Sequence, residues 1–210
     1  MKKSILLVSC LLICIAAAAQ NKSYTFILLN NKPDKEILSK EKADSIMQGH
    51  MDNIGRLAKE GKLLAAGPFE GGGGLFVFNT TSVKEANEWL ATDPGVQAKR
   101  WNVEVLPYTV RNGSICPVGE KYEMVFYQFV RFSAKESLQK KTQHIDSFAQ
   151  RQFKENHIIH AGMFSNESGI MILKADVAEE TIQADPAVKE GLINYEMKKL
   201  YIAKGSFCEK

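Results

Sequence analysis

Two histidines and two aspartates recur at matching places in this chain, and a histidine beside a carboxylate can move a proton near neutral pH. His50 and His144 are each followed by an apolar residue and an aspartate, as His50-Met51-Asp52 and His144-Ile145-Asp146. Further along stand two Asp-Pro steps, Asp93-Pro94 and Asp185-Pro186. A carboxylate against one ring nitrogen fixes the imidazole tautomer and raises its affinity for a proton. The candidate catalytic pairs are therefore His50 with Asp93 and, in a second and weaker copy, His144 with Asp185. Asp52 and Asp146 are poorer partners, because two residues along a helix lie on another face. The competing reading is a buried neutral histidine with a backbone partner, the aspartates serving only to end helices.

Other chemistry finds less support. Gly71 to Gly74 lead into the strand-like Leu75-Phe76-Val77-Phe78, whereas a phosphate loop leads into a helix N-terminus. That run reads as a hairpin turn. His157 and His160 are three apart on a predicted strand, so their rings point to opposite faces, and no cysteine or acidic cluster completes a metal site. No metal and no cofactor are expected. Trp89 and Trp101 read as core or interface.

The elements that must position these groups repeat. The segment from Asp93 to Cys116 matches that from Asp185 to Cys208 without a gap; Asn102/Asn194, Glu104/Glu196, Gly113/Gly205 and Ser114/Ser206 are among the identical pairs. Upstream, Ala66-Gly67-Pro68-Phe69 answers to Ala161-Gly162-Met163-Phe164. Each copy opens with an aromatic and aliphatic strand, Tyr24–Leu29 or Tyr122–Phe132. A helix follows. In the first copy it runs from about Ser39 to Glu60, with Ile46, Met47, His50, Ile54 and Leu57 on its apolar face. In the second it starts at a capping box, Ser133-Ala134-Lys135-Glu136, with Leu138, Ile145, Phe148 and Ala149 on its face and Asn156 as its cap. A hairpin, a helix ended by the Asp-Pro step and a last strand complete each unit. The order βαββαβ, twice, is the ferredoxin-like split βαβ unit, an α+β fold. A unit of this size has a modest core, so two copies packed sheet to sheet would cover each other's open faces. The expected division is a repeat over 20–110, a linker over 111–121 and a divergent repeat over 122–210.

The helix-borne His50, the string Glu60 to Pro68 (EGKLLAAGP) and the helix ending in Asp93-Pro94 resemble the YciI-like, or YCII-related, proteins of the dimeric α/β-barrel superfamily. The likeness spans Tyr24 to Pro107 in the first repeat, while the second replaces Gly-Pro by Gly162-Met163. It implies sheets paired into a barrel, here within one chain, and a His with an Asp as the active pair. Relatives in that superfamily include muconolactone isomerases, chloromuconolactone dehalogenases and small monooxygenases. Similar proteins often carry an arginine three residues before the helix histidine, where this chain has Met47 and Lys141.

Composition sets the remaining bounds. The chain has 210 residues, 45% of them hydrophobic, which excludes a disordered class. Its 27 Lys+Arg and 24 Asp+Glu are interspersed, so no basic footprint for nucleic acid stands out. Lys2 and Lys3 precede an uncharged run from Ser4 to Ala19 that ends in four alanines. This reads as a secretory signal peptide cut after Ala19, too short to span a membrane, which places the mature protein in the periplasm or outside the cell. Cleavage removes Cys10 and Cys14. Cys116 and Cys208 remain, at equivalent repeat positions in an oxidising compartment, and can pair with each other or between chains. Two functions stand: an acid–base enzyme of isomerase, lyase or dehalogenase type on a small organic molecule, or a non-catalytic ligand-binding or structural module. A small-molecule ligand is the expected partner; nucleic acid and stable membrane association are not expected. The intrachain pseudo-dimer leaves higher oligomers open.

Overall fold

The computed structural model describes residues 22–119, 121–135, 139, 141–154 and 158–209. The signal segment with its cleavage point, Glu136, Leu138, Asn156 and His157 lie outside these residues. The first half contains β1 (Ser23–Asn31), α1 (Lys40–Lys59), β2 (Leu63–Pro68), β3 (Gly74–Phe78), α2 (Val83–Leu90), α3 (Pro94–Gln97) and β4 (Trp101–Asn112). The second repeats that order as β5 (Met124–Ala134), α4 (Lys141–Lys154), β6 (Ile158–Phe164), β7 (Ser168–Lys174), α5 (Glu179–Gln183), α6 (Pro186–Lys189) and β8 (Ile193–Ala203).

All strand pairs are antiparallel, in the order β2-β3-β1-β4-β6-β7-β5-β8. The halves join where β4 pairs with β6, Thr109 opposite Met163 and Val110 opposite Gly162. The outer strands β2 and β8 meet through a Phe69–Leu200 bridge and a 2.9 Å bond from the Glu70 N–H to the Lys199 carbonyl. The sheet therefore closes on itself. Both junctions need a residue without a side chain. A Cβ on Gly67 would lie 2.4 Å from the Tyr201 carbonyl oxygen, and one on Gly162 the same 2.4 Å from that of Thr109.

Strand alternation divides the apolar residues into three cores. Phe26, Leu28, Val77, Leu106 and Tyr108 of the first half meet Phe129, Ile170, Ile172, Leu200 and Ile202 of the second inside the barrel. Ile27, Leu29, Phe76 and Phe78 face outward against Leu57 of α1 and Leu90 of α2. Val130, Phe132 and Met171 face Ile145 and Phe148 of α4 in the same manner. The open sheet faces cover one another, as the repeat implied, and the edges bond as well.

Helix α1 begins where expected, its Ser39 side chain accepting from the Lys42 N–H. Gly71, Gly72 and Gly73 form the β2–β3 turn at positive φ. Three local expectations differ from the structure. Ser133 and Ala134 belong to β5, where Ser133 pairs with Ser168, so the capping-box string opens on the end of a strand. Sheet pairing outweighs a local sequence preference there. Met47 is 49% exposed, on the flank of α1. The Asp-Pro steps start helices instead of ending them. α2 is already over at Leu90, and Asp93 is extended (φ −84, ψ 119), with proline in the first turn of α3.

Candidate active site

Asp93 is fully buried and its two oxygens have separate tasks. Oδ1 caps α3, accepting the N–H groups of Gly95 at 2.9 Å and Val96 at 3.0 Å. Oδ2 faces α1, 2.8 Å from Nδ1 of His50 and 3.3 Å from the Asn53 side-chain nitrogen that donates to it. Burial alone would raise the Asp93 carboxyl. The hydrogen bond and charge of His50, with the Val96 N–H and the Asn53 amide, overcome that and hold it below the ordinary aspartate range. An ionised carboxylate only accepts, so Nδ1 of His50 carries the hydrogen and Nε2 keeps its lone pair in the neutral ring. Among the described residues, Nε2 has no hydrogen-bond partner.

The helices come close enough for this contact because α1 has a glycine where it crosses α3: a Cβ at Gly49 would stand 3.0 Å from Cγ of Pro94. The His50 ring packs against Phe76, with centroids 5.7 Å apart, and Trp101 at 4.9 Å. Its side chain is 9% exposed. Behind it, Arg56 donates to Asn53 Oδ1 at 2.7 Å and to the Thr92 hydroxyl at 2.8 Å, fixing the amide that steadies Asp93.

The second half does not bring His144 and Asp185 together by any hydrogen bond or ion pair. Asp185 caps α6 through the Ala187 N–H at 2.8 Å, and its carboxylate is held by Arg151 through two bonds of 2.9 and 2.7 Å and by Gln152 at 3.0 Å. Burial would raise this carboxyl too, but Arg151, the Ala187 N–H and the Gln152 amide together outweigh it and the group is lowered. The helix registers explain the difference. α1 buries His50, Asn53 and Leu57; α4 buries Ile145, Phe148 and Gln152, with identical spacing. The inward counterpart of His50 is thus Ile145. His144 is turned about 100° around the helix, half-buried in a cleft of about 330 Å³ with Ser147, Arg151 and Glu190. The matching strings His-x-Asp are one residue out of step with the matching faces.

Cys116 and Cys208 form a disulfide with Cα atoms 5.3 Å apart, across 92 residues of chain. Near them lies a pair that sequence reasoning passed over. The Tyr108 hydroxyl is 2.9 Å from Nε2 of His160, both side chains buried inside the barrel, and the His160 ring stacks on Phe207. Alternation along β4 was the available signal, since Tyr108 shares a face with Leu106 and Val110. Burial raises the Tyr108 hydroxyl well above its usual value, so it keeps its proton. Among the described residues, no three His, Cys, Asp or Glu side chains are grouped to hold a metal ion, and no helix is long and apolar enough to cross a membrane.

Two solved structures are similar to the chain. One, named "Putative Chlorite dismutase TA0507", has a TM-score of 0.52 and 10% identity over 88% of this chain and 96% of its own. Another, named "Putative monooxygenase", from Fusobacterium nucleatum, has a TM-score of 0.47 and 11% identity over 87% of this chain and 92% of its own. At such identity the likeness to the first concerns the fold, the dimeric α/β barrel, and nothing more. No curated protein matches the chain. The model of the YCII-related domain matches residues 24–109, the segment that carries both His50 and Asp93. Over that segment the chain is similar to the YCII-related domain.

Proposed function

We propose that His50 and Asp93 form a proton-transfer site, and that the protein is an acid–base enzyme of isomerase, lyase or dehalogenase type acting on a small organic molecule. The observation that carries this reading is the 2.8 Å contact between His50 and a buried carboxylate whose other oxygen is already fixed by two backbone N–H groups. In the neutral ring Nε2 is the base. It takes a proton from a substrate carbon or hydroxyl, Asp93 stabilises the imidazolium that results, and the same nitrogen returns the proton to product or water. Among the described residues of the second half, with isoleucine at the inward position and Arg151 on its aspartate, there is no equivalent base, and that half serves to close the barrel. The common element order and helix burial spacing support a duplication. The Cys116–Cys208 disulfide supports an exported, oxidising location for the mature chain.

A second reading, a non-catalytic binding or structural module, draws on the 9% exposure of the His50 side chain. The two separate by experiment. A metabolite library is screened for thermal stabilisation of the mature protein, and each hit is assayed for turnover. His50→Gln is expected to lower turnover by roughly 100-fold or more and Asp93→Asn to lower it as well. Hits that are never converted, or conversion unaffected by His50→Gln, would leave the binding module as the function.

A further inference from the structure

The C-terminal half carries a cavity that the His50 site does not use. It holds about 290 Å³ between α4, β6 and the end of β4, at the junction of the two halves. That is near the lower end of the roughly 300–1,000 Å³ typical of small-molecule sites, so any occupant is small. Phe132, Phe153, Ala161 and Met163 give it an apolar lining, with Phe132 and Ala161 fully buried beneath. Its polar groups are Arg111 from the sheet and Asp146 and Gln150 from the helix, all exposed. Arg111 and Asp146 make no ion pair with each other or with any other described residue.

Neither charge has a charged counterpart in the other half. Asp146 follows the inward Ile145, so its counterpart is Met51, which follows His50. Arg111 corresponds to Ala203 in the gapless alignment of the two last strands. A cation on β4 of the first half and an anion on α4 of the second thus meet around one cavity.

We propose that this cavity binds a small zwitterion with an apolar body, the chemistry of an apolar α-amino acid. Its carboxylate meets the guanidinium fork of Arg111, its ammonium meets Asp146, and its side chain covers Phe132, Phe153 and Met163. A simple carboxylic acid satisfies Arg111 but sets its carboxylate close to Asp146, and a simple amine leaves Arg111 unpaired. The zwitterion satisfies both.

The test uses the mature protein with L-phenylalanine, L-leucine, 3-phenylpropionate and 2-phenylethylamine, read by calorimetry and by shift of the melting temperature. At least one amino acid is expected to bind and to raise the melting temperature, more strongly than either 3-phenylpropionate or 2-phenylethylamine. Arg111→Met and Asp146→Asn, both at exposed positions, should each weaken that binding at least tenfold while the unliganded melting temperature stays unchanged. His50→Gln should leave it intact, which separates this site from the proton-transfer site. Absence of binding by either amino acid, binding that survives both cavity substitutions, or binding abolished by His50→Gln would overturn the proposal.

Discussion

Asp93 illustrates how one side chain can be structural and chemical at once. Replacing it by alanine removes the cap of α3 and leaves a buried histidine and a buried amide without their acceptor. The expected cost is about 2–4 kcal/mol, read from urea unfolding of Asp93→Ala. His160 gives a pH dependence of its own. Burial pushes its ring down to about 4, and the Ser114 backbone offsets that only in part. The same ring in the unfolded chain titrates near 6.5. Below that pH the unfolded chain binds a proton that the folded chain refuses. This contribution to stability is therefore complete above pH 6.5 and falls as the pH drops toward 4, by about 3 kcal/mol in all. Denaturant unfolding between pH 7 and 4 should show that loss, and His160→Gln should reduce it. The candidate proton-transfer pair of the first half was legible because His50 falls on a periodic apolar face and Asp93 on an Asp-Pro step. The second was misread because string identity and helical phase disagree by one residue. A match of letters at His144 carries no information about which way the side chain points; the spacing of Ile145, Phe148 and Gln152 does.

At the scale of elements, the strands were legible from composition and the helix ends less so. Asp-Pro was read as a stop because proline restricts the residue before it. The same restriction suits an N-cap, whose backbone is extended, and the run Asp93–Gln97 is too short to show helical periodicity. Ser133-Ala134-Lys135-Glu136 has capping-box letters, but two of its residues are committed to the β5 ladder. The two junctions make a sharper test. The residues opposite Gly67 and Gly162 are backbone of neighbouring strands, which cannot move aside as a flexible side chain would. Gly162→Ala is expected to destabilise by roughly 1–3 kcal/mol through overpacking, whereas alanine at Gly55, with open space around its Cβ, should be neutral or stabilising. Paired melting curves of the two variants decide it.

For the whole molecule, the interior core belongs to neither half. Phe26 and Tyr108 touch Phe164, and Phe69 touches Phe129, so removing one half would leave an apolar sheet face and two open strand edges. The first half produced alone, through Cys116, should therefore associate into a dimer that rebuilds the barrel, detectable by light scattering. A folded monomer would contradict the shared core. The matching element order of the two halves was visible in the sequence because the last strands align without a gap. The β4–β6 and β2–β8 junctions were not, since nothing in a single strand states which foreign edge it will meet.

The disulfide has a consequence for how the chain can be broken. Cys116 and Cys208 bracket nearly all of the second half, so that half is a covalent ring with the first half attached as a tail. One peptide bond cut anywhere between them opens the ring but releases nothing. A single nick anywhere in that half therefore leaves the chain in one covalent piece. Limited digestion should accordingly yield one full-mass band on a non-reducing gel that separates into two fragments once thiol is added.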